Sequence, residues 1–169
     1  MRRKDKEITG QNEFLGVLER CSFFTLGTVE DGKAYMVPLS YGYRCRDGVI
    51  EIFFHSASAG RKIDLLRQNP NVTFMVGRPV AMSLADQACD YTYIYESLMG
   101  EGKVDFIEDP AEKTEALRLL MQHTLGEGHD RFAPAQVKAT AVLRLTVTVI
   151  TGKAARKPSI ATDRPPITF

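Results

Sequence analysis

The sequence predicts a mostly β protein, an antiparallel sheet or barrel with a few helices at its periphery. Three observations carry this. Apolar and polar residues alternate over several runs, as in Phe24, Leu26 and Thr28 against Thr25 and Gly27, or Leu143, Leu145, Val147 and Val149 against Arg144, Thr146 and Thr148. Two short turn signals, Glu30-Asp31-Gly32 and Asp47-Gly48, join consecutive runs into hairpins. Helical patterns come singly between hairpins and do not follow every strand, which argues against a doubly wound parallel sheet.

The elements follow in order. Residues 1–9 are charged and read as a loose arm. A short helix carries Phe14, Leu15, Val17 and Leu18, with Thr9 as its candidate N-cap. The first hairpin spans "SFFTLGTVEDGKAYMVPLSYGYR". Pro38 lies in its second strand and has no N–H to donate, so that strand is an edge, is bulged, or leaves backbone free for another partner. The second hairpin ends in Val49 to Phe54 and runs into "HSASAGRKIDLLRQNP", where Ile63, Leu65 and Leu66 mark a helix closed by Asn69-Pro70. "NVTFMVGRPVAMSL" supplies one or two strands, and "CDYTYIYESLMGEGKVDFIED" a long strand with a bend expected at Gly100 and Gly102. The clearest helix starts with Asp109 as N-cap and Pro110 at N1, and Gly126 is its expected C-cap. A half-buried strand follows from Thr140. In all, about seven strands and two or three helices are expected. Residues 1–157 read as one domain and the Pro-rich residues 158–169 as an irregular tail.

Composition narrows the function classes. Lys plus Arg number 22 and Asp plus Glu 21, a net charge of +1, so there is no overall field for nucleic acid or an anionic membrane. Any bound anion must be held by a local site. Cys21, Cys45 and Cys89 are widely spaced and odd in number, which argues against a disulfide framework or a zinc ribbon and for a reducing cytoplasm. The basic start is not followed by an apolar signal segment, and no run approaches the ~18 apolar residues of a membrane helix.

The chemistry concentrates where a strand turns into a helix, at His55 to Lys62. The first N–H groups of a helix lack partners and, with the helix dipole, favour an anion. Ser56 and Ser58 add hydroxyls, and Gly60 removes side-chain bulk. Arg61 and Lys62 stand at the end of the helix where cations are unfavourable, a placement that a bound phosphate would explain. A plain capped helix with two solvated cations satisfies the same spacing. His55 shares a strand face with Phe53, where a lone His is more often a hydrogen-bonded rim residue than a ligand or base. His123 and His129 straddle Gly126 and need not share a face, so no metal site is expected. Tyr91, Tyr93 and Tyr95 read as core or interface. No nucleophilic triad and no carboxylate pair with motif spacing is present, and the catalytic residues stay unassigned.

"GRKIDLLRQNPNV" after "FFHSA", with "YMVPLSYGY" upstream and "YESLMGEGKVDFIED" downstream, resembles the pyridoxamine 5′-phosphate oxidase-like flavin-binding superfamily, and most of all its nitroimidazole-resistance (Nim-type) branch. The resemblance runs over nearly the whole chain. It implies an antiparallel split β-barrel and a homodimer that binds FMN at the subunit interface. By position, His55 and Ser56 match the strand-end pair beside the flavin phosphate and ribityl chain. Arg61 and Lys62 match the phosphate-gripping pair, and Val37, Pro38 and Leu39 match the strand facing the isoalloxazine ring. Ser97 and Lys153 resemble further positions near the flavin. The chain has no Trp and lacks the carboxy-terminal Trp and Arg pattern of the true oxidases, so pyridoxamine phosphate is not the expected substrate. The resemblance implies an FMN-dependent oxidoreductase acting on a nitroimidazole or another small acceptor. The alternatives are a non-catalytic flavin- or haem-binding protein serving as sensor, carrier or store, and an interaction module without cofactor.

Overall fold

A computed structural model describes residues 3–155 and the backbone of residues 167–168. Apart from those two positions, the expected tail lies outside the described residues. The chain divides into two compact units. The first comprises Met1–Cys21, Val76–Met99 and Thr151–Phe169, the second Ser22–Met75 and Gly100–Ile150.

The element order is β1 (Glu7–Ile8), α1 (Gln11–Arg20), β2 (Phe24–Glu30), β3 (Lys33–Leu39), β4 (Gly42–Arg46), β5 (Val49–Ser56), α2 (Arg61–Gln68), β6 (Asn71–Ser83), β7 (Thr92–Ile107), α3 (Pro110–Leu125), α4 (Pro134–Ala139), β8 (Ala141–Ala155) and β9 (Ile167–Thr168). Strands are hydrogen-bonded in the order β3-β2-β6-β7-β8-β5-β4, with β1 on β8 and β9 on β6. The pairs β1–β8, β2–β3, β4–β5, β5–β8 and β6–β9 are antiparallel.

In the second unit both hairpins turn as expected. Asp31 and Gly32 take φ of 49° and 73°, Asp47 and Gly48 take 51° and 82°, so each turn places two successive residues at positive φ. The register Phe24↔Leu39, Leu26↔Val37 and Thr28↔Tyr35 puts Phe24, Leu26 and Thr28 on the buried face of β2. Pro38 is tolerated because β3 ends the sheet order and, among the described residues, pairs only with β2. In β5, Ile52, Phe53 and Phe54 are all buried, so both faces of this strand are covered. Phe24 meets Tyr41 and Phe54 edge-on, with ring centroids 5.6 and 5.4 Å apart. Phe53, Ile107, Ala116 and Val142 form a second cluster, with α3 lying against β4 and β5.

In the first unit, α1 buries Phe14, Val17 and Leu18. Its N-cap is Gly10, whose carbonyl accepts from Glu13 and Phe14, and the expected Thr9 cap is not used. α3 matches its reading in full. Asp109 accepts the N–H of Glu112 at 2.8 Å, Pro110 opens the helix, and Gly126 closes it at φ 85°. α4 was not expected, since six residues are too short for a helical period to show.

Gly100 and Gly102 do not bulge β7. Burial alternates without a phase change through Glu96, Leu98, Gly100, Gly102 and Val104. The glycines answer a different demand, close approach. A Cβ at Gly100 would collide with the Phe74 ring, and one at Gly102 with the Thr146 carbonyl. The phase change falls in β6, where buried positions switch from Val72, Phe74 and Val76 to Ala81 and Ser83. In β8, Val142, Leu143 and Leu145 are buried, but Val149, expected on the inner face, is half exposed. Ile167–Thr168 pairs with β6, whereas irregular chain was expected there.

Candidate functional site

The strand-to-helix joint lies in the second unit. β5 ends at His55 and Ser56, opposite Val142 and Ala141 of β8. His55 is exposed and Ser56 half-buried. Five residues after Ser56, α2 begins at Arg61. Its N-cap is Gly60, at φ 119°, a conformation that L side chains rarely adopt. A Cβ there would meet nothing within 4 Å, so the space over the helix start is open. Among the described residues no side chain caps the helix, and neither Ser56 nor Ser58 is used for that purpose. The leading N–H groups are therefore available to a ligand.

The two cations differ. Lys62 is half-buried and has no ion-pair or hydrogen-bond partner among the described residues. Burial lowers its pKa, because an ammonium loses hydration there and no carboxylate offsets the loss. Arg61 is exposed and already engaged. Its Nε donates to Glu30 Oε2 at 2.8 Å, Nη2 donates to the same oxygen, and the guanidinium lies 4.3 Å from the centroid of the Tyr35 ring. Glu30 and Tyr35 escaped the sequence reading. Glu30 registered only as a turn residue, and no local spacing links it to a helix 31 positions on.

Tyr35 also connects α2 to β3, the strand of Val37, Pro38 and Leu39. Val37 and Leu39 are half-buried and Pro38 is exposed. As an edge strand, β3 directs part of its backbone N–H and C=O groups away from the sheet. Beneath it, Thr28 Oγ1 is buried with no hydrogen-bond partner among the described residues. The second unit thus holds seven of the nine expected cofactor residues. Ser97 and Lys153 belong to the first unit. Ser97 is half-buried beside Gly77, and Lys153 is half-buried opposite Glu7 of β1.

A cleft of about 500 Å³ opens on the other face of the β2–β3 hairpin, against Gly27, Val29, Ala34, Met36, Asn71 and Thr73. Gly60, Arg61 and Lys62 do not line it. His123 Nδ1 lies 2.8 Å from the Tyr41 carbonyl, and its ring packs on Tyr41 and Tyr43. That is a structural use of the helix end. No helix among the described residues is long and apolar enough to cross a membrane.

The sequence pattern of the family described as pyridoxamine 5′-phosphate oxidase matches residues 11–154. The chain belongs to that family. Its fold is the antiparallel split barrel with peripheral helices. Among solved structures, a candidate 5-nitroimidazole antibiotic resistance protein from Bacteroides thetaiotaomicron is 30% identical, covering 87% of this chain and 85% of that one, with a TM-score of 0.75. The flavocytochrome Anf3 from Azotobacter vinelandii is 20% identical, covering 100% and 82%, with a TM-score of 0.81. The FAD and heme binding protein from Mycobacterium smegmatis is 19% identical, covering 92% and 77%, with a TM-score of 0.77. The latter two show likeness of fold. No curated protein matches the chain.

Proposed function

We propose that this protein is a cytoplasmic, FMN-binding flavoprotein that reduces a small acceptor, with the nitro group of a nitroimidazole-type compound as the leading candidate. The observation that carries the reading is the start of α2. A half-buried ammonium with no counter-ion among the described residues stands beside helix amides that no described side chain caps, next to a glycine at φ 119° with open space over it. This donor set suits a phosphate monoester. Arg61 and Lys62 would hold the phosphate. His55 and Ser56 would lie along the ribityl chain, and the outward backbone of Val37, Pro38 and Leu39 would face the ring. Ser97 and Lys153 are further candidates. A bound flavin supplies the electron transfer, and the chain's task is to hold and orient it and to limit water around it. Support for the acceptor comes from the relative described as a candidate 5-nitroimidazole resistance protein.

The active form is read as a homodimer with flavin at the subunit interface. Val29 and Met36, 63% and 62% exposed in the second unit, give that unit an apolar outer face in keeping with association. A second reading, a flavin- or haem-binding protein without turnover, is favoured by the relatives described as a flavocytochrome and as an FAD and heme binding protein.

Absorbance tests the cofactor. Protein that shows no band near ~450 nm, and stays colourless after FMN is added, ends both flavin readings. Turnover separates them: FMN-loaded protein given NAD(P)H consumes a nitroimidazole if the first reading holds. Arg61→Ala with Lys62→Ala should abolish flavin retention while the mass in solution stays that of a dimer.

A further inference from the structure

Arg61 is not free to receive an anion. Its Nε and Nη2, the edge with which a guanidinium makes two parallel bonds, both donate to Glu30 Oε2. Glu30 is the last residue of β2, at the turn where Asp31 and Gly32 reverse the chain. The pair is accessible, with side-chain exposures of 59% for Arg61 and 35% for Glu30. Stacking on Tyr35 holds the guanidinium plane independently of Glu30. Charge accounting then changes the site. Arg61 and Glu30 cancel, and of the two cations only Lys62 has no carboxylate partner among the described residues, with the carboxylate of Asp64 also in the first turn of α2.

An incoming phosphate must displace Glu30 from this edge or bind beside a carboxylate of like charge. Exposed ion pairs of this kind are weakly held, so exchange is cheap, and a phosphate makes the stronger charge-assisted contacts. A displaced Glu30 remains close on the same hairpin, and its charge opposes the phosphate. We propose that Glu30 is a specificity-determining residue of this site, a built-in carboxylate competitor that occupies Arg61 until a phosphate monoester replaces it. It thereby narrows the site's preference for phosphorylated over unphosphorylated ligand. The identity of the ligand rests on the flavin reading above, whereas the exchange concerns any phosphate.

The test compares wild type with Glu30→Gln, which keeps the size and removes the charge. FMN and riboflavin are titrated by flavin fluorescence, and inorganic phosphate by its effect on the melting temperature. Glu30→Gln should bind FMN about two- to fivefold more tightly and leave riboflavin affinity unchanged. In an Arg61→Ala background the same substitution should give a much smaller gain, because the competitor then has nothing to occupy. Unchanged or weaker FMN binding overturns the proposal, weaker binding marking Glu30 as a positioning residue for Arg61. An equal gain for riboflavin also overturns it, since the effect would not act through the phosphate. If neither protein binds any flavin, the flavin reading fails and the phosphate arm decides. A larger phosphate-induced stabilisation of Glu30→Gln than of wild type sustains the exchange, and equal shifts end it.

Discussion

Arg20 donates Nε to Oε1 and Nη2 to Oε2 of Glu96 at 2.8 and 2.7 Å, a two-point grip from α1 on a carboxylate buried in β7. Arg78 Nε donates to the same Oε1 at 2.8 Å. The Arg20 hydrogen bonds, with that of Arg78, hold the Glu96 pKa below its ordinary 4.5 against the opposing effect of burial. A depressed carboxylate contributes stability that is complete above its unfolded pKa and lost as pH falls through the folded one. Glu96→Gln should therefore cost about 1–3 kcal/mol at neutral pH, since both arginines are partly solvated. The difference from wild type should shrink below about pH 4.5. Urea denaturation across that range checks it.

Cys21 follows Arg20 directly, is buried, and has its thiol pushed up to about 11, chiefly by burial. Thiolate is the reactive form, so at pH 8 Cys21 should resist alkylation while the exposed Cys45 and Cys89 react. Peptide mass spectrometry after a short iodoacetamide pulse reads this out. Early labelling of Cys21 would contradict the packing of α1.

Gly42 opens β4 where α3 crosses it. A Cβ there would overlap the backbone of Leu119 and Leu120, which cannot rotate aside. Gly42→Ala should cost about 2 kcal/mol or more, seen as a lower melting temperature. A neutral result would mean that α3 can lift off the strand.

Lys62 carries a desolvation cost in the free protein. Lys62→Met removes it, so the protein without ligand should be as stable as wild type or slightly more so, while FMN affinity falls at least about tenfold. Paired measurements of melting temperature and flavin titration check both halves. A destabilised protein with unchanged flavin affinity would place Lys62 outside the site.

Much of this was legible in local chemistry. The Asp-Gly turns and the Asp109-Pro110 start and Gly126 end of α3 follow from φ preferences and hydrogen-bond capacity, which act within a few residues; Pro38 left an edge, a bulge or free backbone open, and the sheet order made it an edge. The string from His55 to Pro70 likewise set out a helix start with misplaced cations. Where sequence reasoning went astray, the cause was long-range. Gly100 and Gly102 look like bulges locally, yet they are required by Phe74 and by the Thr146 carbonyl pressing on β7. Thr9 is a sound cap by type, but Gly10 takes the position.

Neighbouring residues carry the antiparallel β class, the hairpins, and a helix start at Gly60, Arg61 and Lys62 that reads either as an anion seat or as a plain helix start with two solvated cations. How the charges at this helix start pair is set by tertiary packing. It brought Glu30, 31 positions upstream, onto Arg61, set the guanidinium on Tyr35, and left Lys62 half-buried without a counter-ion among the described residues. Electrostatic pairing depends on distances in space, which strand register and helix docking fix and sequence spacing does not.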